Sequence, residues 1–253
     1  MKASKIMSRI VGKGRRTLAS NFRRRDLTID TPVPLISFSF DDAPATAFDE
    51  GARILEARDA RATYYMSLGL LGRDTEVGTI VDSSALQRAV QAGHELGCHT
   101  FDHLDAWHTD TRTYVASVDA NQRALVHCVP GYSFRTFAYP KSGARLSVKQ
   151  ALETRFMCCR GGGQTFNIGT VDLNLLSACF LDRRTHVDLG FVRDLIARNA
   201  RCRGWLIFVT HDVCDQPSPY GCSSVFFGEV VRCAAESGAA MVPVGDACNR
   251  LRG

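Results

Sequence analysis

Short apolar runs that alternate with helix-like stretches constrain this chain more than any other feature. "PLISFSF", "RATYYMSL", "HELGCH", "SFRTFAYP", "RFMCCR", "GWLIFVTH" and "AAMVPV" read as strands. Between them, "ATAFDEGARILEARD", "SSALQRAVQAG", "RTYVASVDANQRALVHC", "LSVKQALETR", "VDLGFVRDLIARNAR" and "SSVFFGEVVRCAAESG" read as helices, the second capped by serine at its start and glycine at its end. Repeated strand–helix units with buried strands predict a parallel sheet covered by helices. Seven or so units over about 220 residues suit one α/β barrel better than two separate domains.

Charge divides the chain. The first 25 residues hold nine Lys or Arg and no acid, which leaves 22 basic against 26 acidic residues in the rest. We therefore expect residues 1–30 to be a basic leader, flexible or surface-associated, and residues 31–253 to be the catalytic domain. Such a leader suits an anionic membrane surface. The body has no basic-aromatic stripe, so nucleic acid is not expected as a partner. No run approaches the ~18 apolar residues of a membrane span, and the N-terminus does not read as a secretory signal. The ten cysteines are scattered without a CxxC pair, which argues against a zinc finger. Without a signal, reduced thiols and a cytoplasmic location, peripheral at the inner membrane face, are the expectation. "RGGGQ", Arg160 to Gln164, lacks the residues of a phosphate loop and reads as a flexible loop.

Three short pieces carry chemistry, each where a strand ends. "LISFSFDDAP" closes on adjacent Asp41 and Asp42, two like charges that repel unless their roles are separated. "GHELGCHTFDH" holds His99 and His103, four apart; on one helical turn they would share a face and could bind one metal ion with a third ligand. "WLIFVTHD" places His211 directly after the most hydrophobic strand, unlike His94, His108, His127 and His186. In parallel α/β architectures chemistry gathers at that end of the sheet.

Together these pieces resemble the polysaccharide deacetylases, carbohydrate esterase family four, over roughly residues 33 to 245. "SFDDAP" resembles the family's first motif, "HTFDH" its second, and "FVTHD" its last. The resemblance implies a distorted (β/α)7-type barrel of parallel strands with surrounding helices. It implies that Asp42, His99 and His103 hold a divalent metal, zinc being the expected ion. Asp41 would then be the general base, His211 the general acid, and the carbohydrate substrate would carry an N-acetyl group. Its third motif, normally Arg-x-Pro-Tyr-Gly, reads "SFRTFAYPKSG" here. Alignment on Pro140 puts Ala138 where the arginine belongs and Lys141 where the tyrosine belongs; Arg135 is the other candidate arginine. Tyr139 and Lys141 are the expected substrate-binding residues, with the backbone N–H near Lys141 as oxyanion donor. Of the fourth motif, which steadies the catalytic histidine, Asp172 and Asp182 are the candidates. Trp107 is a platform for a sugar ring or a core aromatic.

The function expected is hydrolysis of an N-acetyl group from an amino sugar that is oligomeric, lipid-linked or nucleotide-linked. The alternatives are a sugar deformylase or O-deacetylase, and a carbohydrate-binding member of the same fold without catalysis.

Overall fold

A computed structural model describes Gly14 and residues 17–253. Its centre is a parallel sheet of β1 (Leu35–Asp41), β2 (Ala62–Met66), β3 (Glu95–Cys98), β4 (Thr136–Ala138), β5 (Cys158–Arg160), β6 (Cys179–Phe180) and β7 (Trp205–Thr210). The spatial order is β6-β7-β1-β2-β3-β4-β5, and β8 (Ala240–Met241) pairs with the start of β1, below the point where β2 begins. The path does not close, so the barrel is distorted, with β5 and β6 as its edges. Around it lie α1 (Ala52–Glu56), α2 (Ser83–Gln91), α3 (Thr111–Cys128), α4 (Leu146–Leu152), α5 (Leu189–Cys202), α6 (Ser224–Glu236) and α7 (Val244–Arg252). Asp82, not a serine, caps α2 by accepting from Ala85 N–H, and α1 is entered through a π-helical turn, Ala47–Gly51.

The strands are buried on both faces, yet their side chains still alternate with period two. In β1, Ile36, Phe38 and Phe40 enter the main hydrophobic core, as do Leu206 and Phe208 of β7. Leu35, Trp205, Ile207 and Val209 form a second cluster on the opposite face. This explains the serines of "LISFSF". Ser37 and Ser39 share parity with Leu35 and Asp41; the Trp205 indole donates to Ser37 Oγ (3.0 Å), and Ser39 Oγ donates to Phe208 O (3.0 Å). Ser37 lies against the Trp205 indole, and both small hydroxyls satisfy buried polar groups. The same inward row ends above in Asp41. On β3, Gly97 is small because a Cβ would lie 2.5 Å from the Tyr65 ring.

Part of the expected leader is tied to the body. Asp26–Thr28 pairs antiparallel with Thr170–Asp172. The fully buried Lys149 ammonium donates to Ala19 O (2.6 Å), Phe22 O (3.0 Å) and Asp172 Oδ2 (2.6 Å). Arg25 donates to Glu153 O (2.6 Å) and Met157 O (2.8 Å). Residues 1–13, 15 and 16, which carry most of the expected leader's charge, lie outside the described residues. Truncation should separate the two parts. A chain beginning at residue 17 should unfold at the same urea concentration as the full chain. One beginning at residue 26 should lose about 3 kcal/mol or more, because a buried ammonium forfeits two of its three acceptors.

Candidate active site

The loops that follow β1, β2, β3, β4, β6 and β7 surround a cleft of about 630 Å³. Asp41, Asp42, His99, His103, Lys141 and His211 all line it. Asp41 is the last inward residue of β1. Its neighbour would ordinarily face the other way, but Asp42 has φ 61° and Ala43 φ 59°. The left-handed turn brings the second carboxylate into the same cleft. Thr100, His103, Lys141 and Ser142 also have positive φ, and of the eleven such non-glycine residues among those described, Asp42, His103, Lys141 and Ser142 line this cleft. Backbone conformations of this kind cost of order 1–3 kcal/mol each and persist where function requires them.

His99 and His103 do not sit on a helical turn, as their spacing suggested. Their segment is a loop with reversals at Thr100 (φ 61°) and His103 (φ 53°), held by Ser117 of α3, whose hydroxyl accepts from Phe101 N–H (3.0 Å). The imidazoles converge nonetheless: ligand atoms of Asp42, His99 and His103 all lie within 4.8 Å of one another. His103 Nε2 is 3.5 Å, and His99 Nε2 3.9 Å, from Asp42 Oδ1. Burial, the largest influence, pushes the His99 pKa down to about 4, so its ring is neutral. His99 Nδ1–H donates to Ala138 O (2.8 Å), which leaves the Nε2 lone pair directed at the cluster. Asp42 Oδ1 is buried and without a hydrogen-bond partner among the described residues. A buried carboxylate oxygen without a donor beside two imidazoles fits a ligand set for a divalent cation.

Asp41 is held differently. It is buried, which alone raises a carboxyl pKa, but the Arg160 guanidinium ion-pairs with Asp41 Oδ1, and with His99 and His211 nearby the net shift is downward. Arg160 is fully buried, with Tyr65 under its guanidinium at 5.0 Å. It lies at the end of β5, in register with Ala138 of β4. The guanidinium therefore comes from one strand beyond the position where the motif alignment placed it. Arg135 is elsewhere, paired with Asp246 (3.1 Å) and near Glu95 (3.8 Å). Nor is "RGGGQ" a flexible loop. Gly161 N–H donates to Leu176 O (2.9 Å), Gln164 N–H to Ala178 O (2.9 Å), and the Gln164 side chain brackets Phe180.

His211 Nδ1 faces Tyr220 O at 3.1 Å, and its Nε2 lies 4.0 Å from Asp42 Oδ2. A backbone carbonyl thus orients this ring, where an aspartate was expected. Asp172 pairs with Lys149, and Asp182 caps a 3-10 turn and pairs with Arg184 (2.6 Å). The Arg184 guanidinium stacks 4.0 Å over the Tyr220 ring. Tyr139 is corrected as a substrate contact by its side chain: it is buried, its ring packs on Phe137 at 5.1 Å, and its hydroxyl donates to Asn174 O (3.1 Å). Lys141 does reach the cleft, on a turn whose Ser142 and Gly143 amides bond back to Tyr139 O and Pro140 O.

A family model described as polysaccharide deacetylase matches residues 28–155, half of the chain. The chain belongs to the polysaccharide deacetylase family. A chitin deacetylase of Colletotrichum lindemuthianum is 33% identical over 95 residues, 35% of this chain and 37% of that protein. A bifunctional xylanase/deacetylase of Pseudobutyrivibrio xylanivorans is 25% identical over 123 residues, 49% of this chain and 19% of that protein. The matches thus span well under half the length of these relatives. The solved structure of the Colletotrichum chitin deacetylase superimposes with a TM-score of 0.62 at 16% identity, covering 87% of this chain and 89% of the other. A CE4 family pseudoenzyme from Bacillus anthracis superimposes with a TM-score of 0.61 at 11% identity, covering 87% and 66%. The fold is common to enzyme and pseudoenzyme alike, so activity must be argued from the cleft.

Proposed function

We propose that this polysaccharide deacetylase family member is a metal-dependent hydrolase that removes N-acetyl groups from an amino-sugar glycan. One observation carries the reading. A buried carboxylate neutralised by arginine, Asp41, lies beside a separate metal-ligand set with an unsatisfied oxygen, Asp42, His99 and His103. Two imidazoles and one carboxylate suit zinc. Bound there, the metal would lower the pKa of water and polarise the acetyl carbonyl. Asp41, kept ionised by Arg160, accepts the proton of the attacking water. The N–H of Lys141, on its left-handed turn, donates to the developing oxyanion. His211 keeps one ring proton on the Tyr220 carbonyl, so as imidazolium it offers the Nε2 proton to the departing nitrogen. Similarity to a chitin deacetylase supports N-acetylglucosamine, the unit of chitin, as the sugar.

The test is acetate release from oligomers of N-acetylglucosamine. Activity should vanish with a chelator and return with zinc. His211→Ala should impair hydrolysis of the acetamide roughly 10² more than that of an activated acetate ester, which needs no proton on departure. Formate from a formylated sugar, or acetate from an O-acetyl sugar only, would assign the alternative chemistries. Zinc-loaded protein that turns over none of them would be a carbohydrate-binding member. The basic leader adds an anionic membrane surface as a proposed partner. Leu18 and Phe22, exposed one helical turn apart within it, support that reading. Binding to anionic vesicles should weaken with salt and on deletion of residues 1–16.

A further inference from the structure

Between β7 and α6 the chain forms a loop, residues 211–223, that buries an acid which does not line the cleft. Asp212 directly follows His211, is 4% exposed, and no Lys or Arg pairs with it among the described residues. A carboxylate is costly to bury unless donors surround it. Its two close donors both belong to Ser218: the N–H reaches Oδ2 (2.7 Å) and the hydroxyl Oδ1 (2.6 Å), with Cys214 Sγ farther off at 4.0 Å. Pro217 and Pro219 flank Ser218, so this N–H is the one amide proton of the three residues.

Ser218 in turn fixes the peptides on either side of Tyr220. Its hydroxyl oxygen accepts from Tyr220 N–H (3.1 Å), and its carbonyl accepts from Gly221 N–H (3.2 Å). Gly221 N–H shares a peptide plane with the Tyr220 carbonyl, and in a trans peptide the two point opposite ways. The bond on Gly221 N–H therefore aims the Tyr220 carbonyl away from Ser218, at His211 Nδ1 (3.1 Å). A carbonyl oxygen only accepts, so Nδ1 carries the proton. Cys222 N–H closes the loop on Asp212 O (3.0 Å). A Cβ on Gly221 would run into the Asp212 carboxylate, and Gly221 has no positive φ, so the glycine serves this close approach.

We propose that Asp212 is a positioning residue for the general acid: it holds Ser218, which holds the Tyr220–Gly221 peptide, whose carbonyl sets the direction of the His211 ring. The inference rests on the reading of His211 as general acid and adds what orients it. A proton donor must be aimed as well as acidic, and a misplacement of about 1 Å can cost ~10² in rate. The carbonyl of an unbraced loop could turn with its peptide and release the ring. Arg184, stacked 4.0 Å over the Tyr220 ring, holds the side chain of that residue but not its carbonyl.

The experiment uses the zinc-loaded full chain. Asp212→Ala should impair hydrolysis of the acetamide in N-acetylglucosamine oligomers about tenfold more than that of an activated acetate ester, with bound zinc unchanged. Ser218→Ala should show the same selectivity. The double variant should be no worse than Asp212→Ala alone, because the two residues act in one chain. Asp212→Asn should regain most of the rate, since its amide oxygen accepts from Ser218 N–H and its amino group donates to the hydroxyl. ¹⁵N NMR spectra of the histidine rings, with the His211 signal assigned by its loss in His211→Ala, give a readout apart from turnover. The neutral ring should carry its proton on Nδ1 in wild type and Asp212→Asn, and shift toward the Nε2 tautomer in Asp212→Ala and Ser218→Ala. Melting curves verify folding, and Ser218→Ala retains the test if Asp212→Ala does not fold. An unchanged ring signal with an unchanged amide-to-ester ratio in both alanine variants would overturn the proposal. So would an Asp212→Asn protein as impaired as Asp212→Ala. Tautomer shifts in a protein that releases acetate from no substrate would uphold the brace and remove the hydrolase reading.

Discussion

Replacing Arg160 by methionine should lower turnover by roughly 10² and destabilise the fold by about 3–5 kcal/mol, while leaving bound zinc near the wild-type level. The substitution removes a fully buried cation and leaves the Asp41 carboxylate buried without its partner. In the wild type the Asp41 pKa is depressed below its usual 3.8, because Arg160, helped by His99 and His211, outweighs burial. A depressed carboxyl pKa contributes stability above the unfolded value and loses it as pH falls through the folded value. That contribution is therefore complete at neutral pH and disappears only in acid. Without Arg160, burial dominates and the carboxyl retains its proton to higher pH. The rising limb of the rate profile should then move upward in pH, and unfolding by urea should become easier at neutral pH. Ala138→Arg in the Arg160→Met background tests the origin of the guanidinium. Residues 138 and 160 are register partners, so an arginine at either can approach Asp41, and part of the rate should return. A wild-type pH profile in Arg160→Met would remove Arg160 from its positioning role.

The reason Arg160 escapes a sequence reading is physical. Asp41 and Arg160 are 119 residues apart, and only the order of the sheet makes them neighbours. The local signals were present: an apolar strand, an arginine at its last position, and glycines after it. Strand parity adds that residues 158 and 160 face inward while 159 faces the main core. The same parity argument places Tyr139 with Phe137 on the outer face, which composition and motif spacing did not reveal. By contrast, Asp41, Asp42, His99, His103 and His211 were legible because each lies at the end of, or within five residues after, a strand whose apolar run is obvious. Their loops were less so. The pairing of His99 with His103 suggested a helical turn, but a left-handed residue inside the segment achieves the same convergence. The docked end of the leader was illegible for another reason: Lys149 recognises the backbone carbonyls of Ala19 and Phe22, and carbonyls leave no trace in a sequence.

Exchanging the adjacent aspartates one at a time should give two different proteins. Asp41→Asn should bind zinc normally and lose roughly 10²–10⁴ in rate, the effect of a missing general base. It should also melt lower, since Arg160 then remains as an unpaired buried cation, a loss of about 3–5 kcal/mol. Asp42→Asn should weaken zinc by roughly 10² or more, exceeding the 10–100-fold seen when mere outer partners of ligands are lost. Its metal-free form should melt no lower than metal-free wild type. Asp42 Oδ1 has no hydrogen-bond donor among the described residues to lose, and the change removes a negative charge from beside Asp41. The two melting temperatures therefore move apart in the absence of metal, where neither catalysis nor zinc affinity is read. That comparison distinguishes an ion-paired base from a ligand waiting for a cation. Equal loss of zinc in both variants, or a lower melting temperature for metal-free Asp42→Asn, would mean that the two carboxylates share one role.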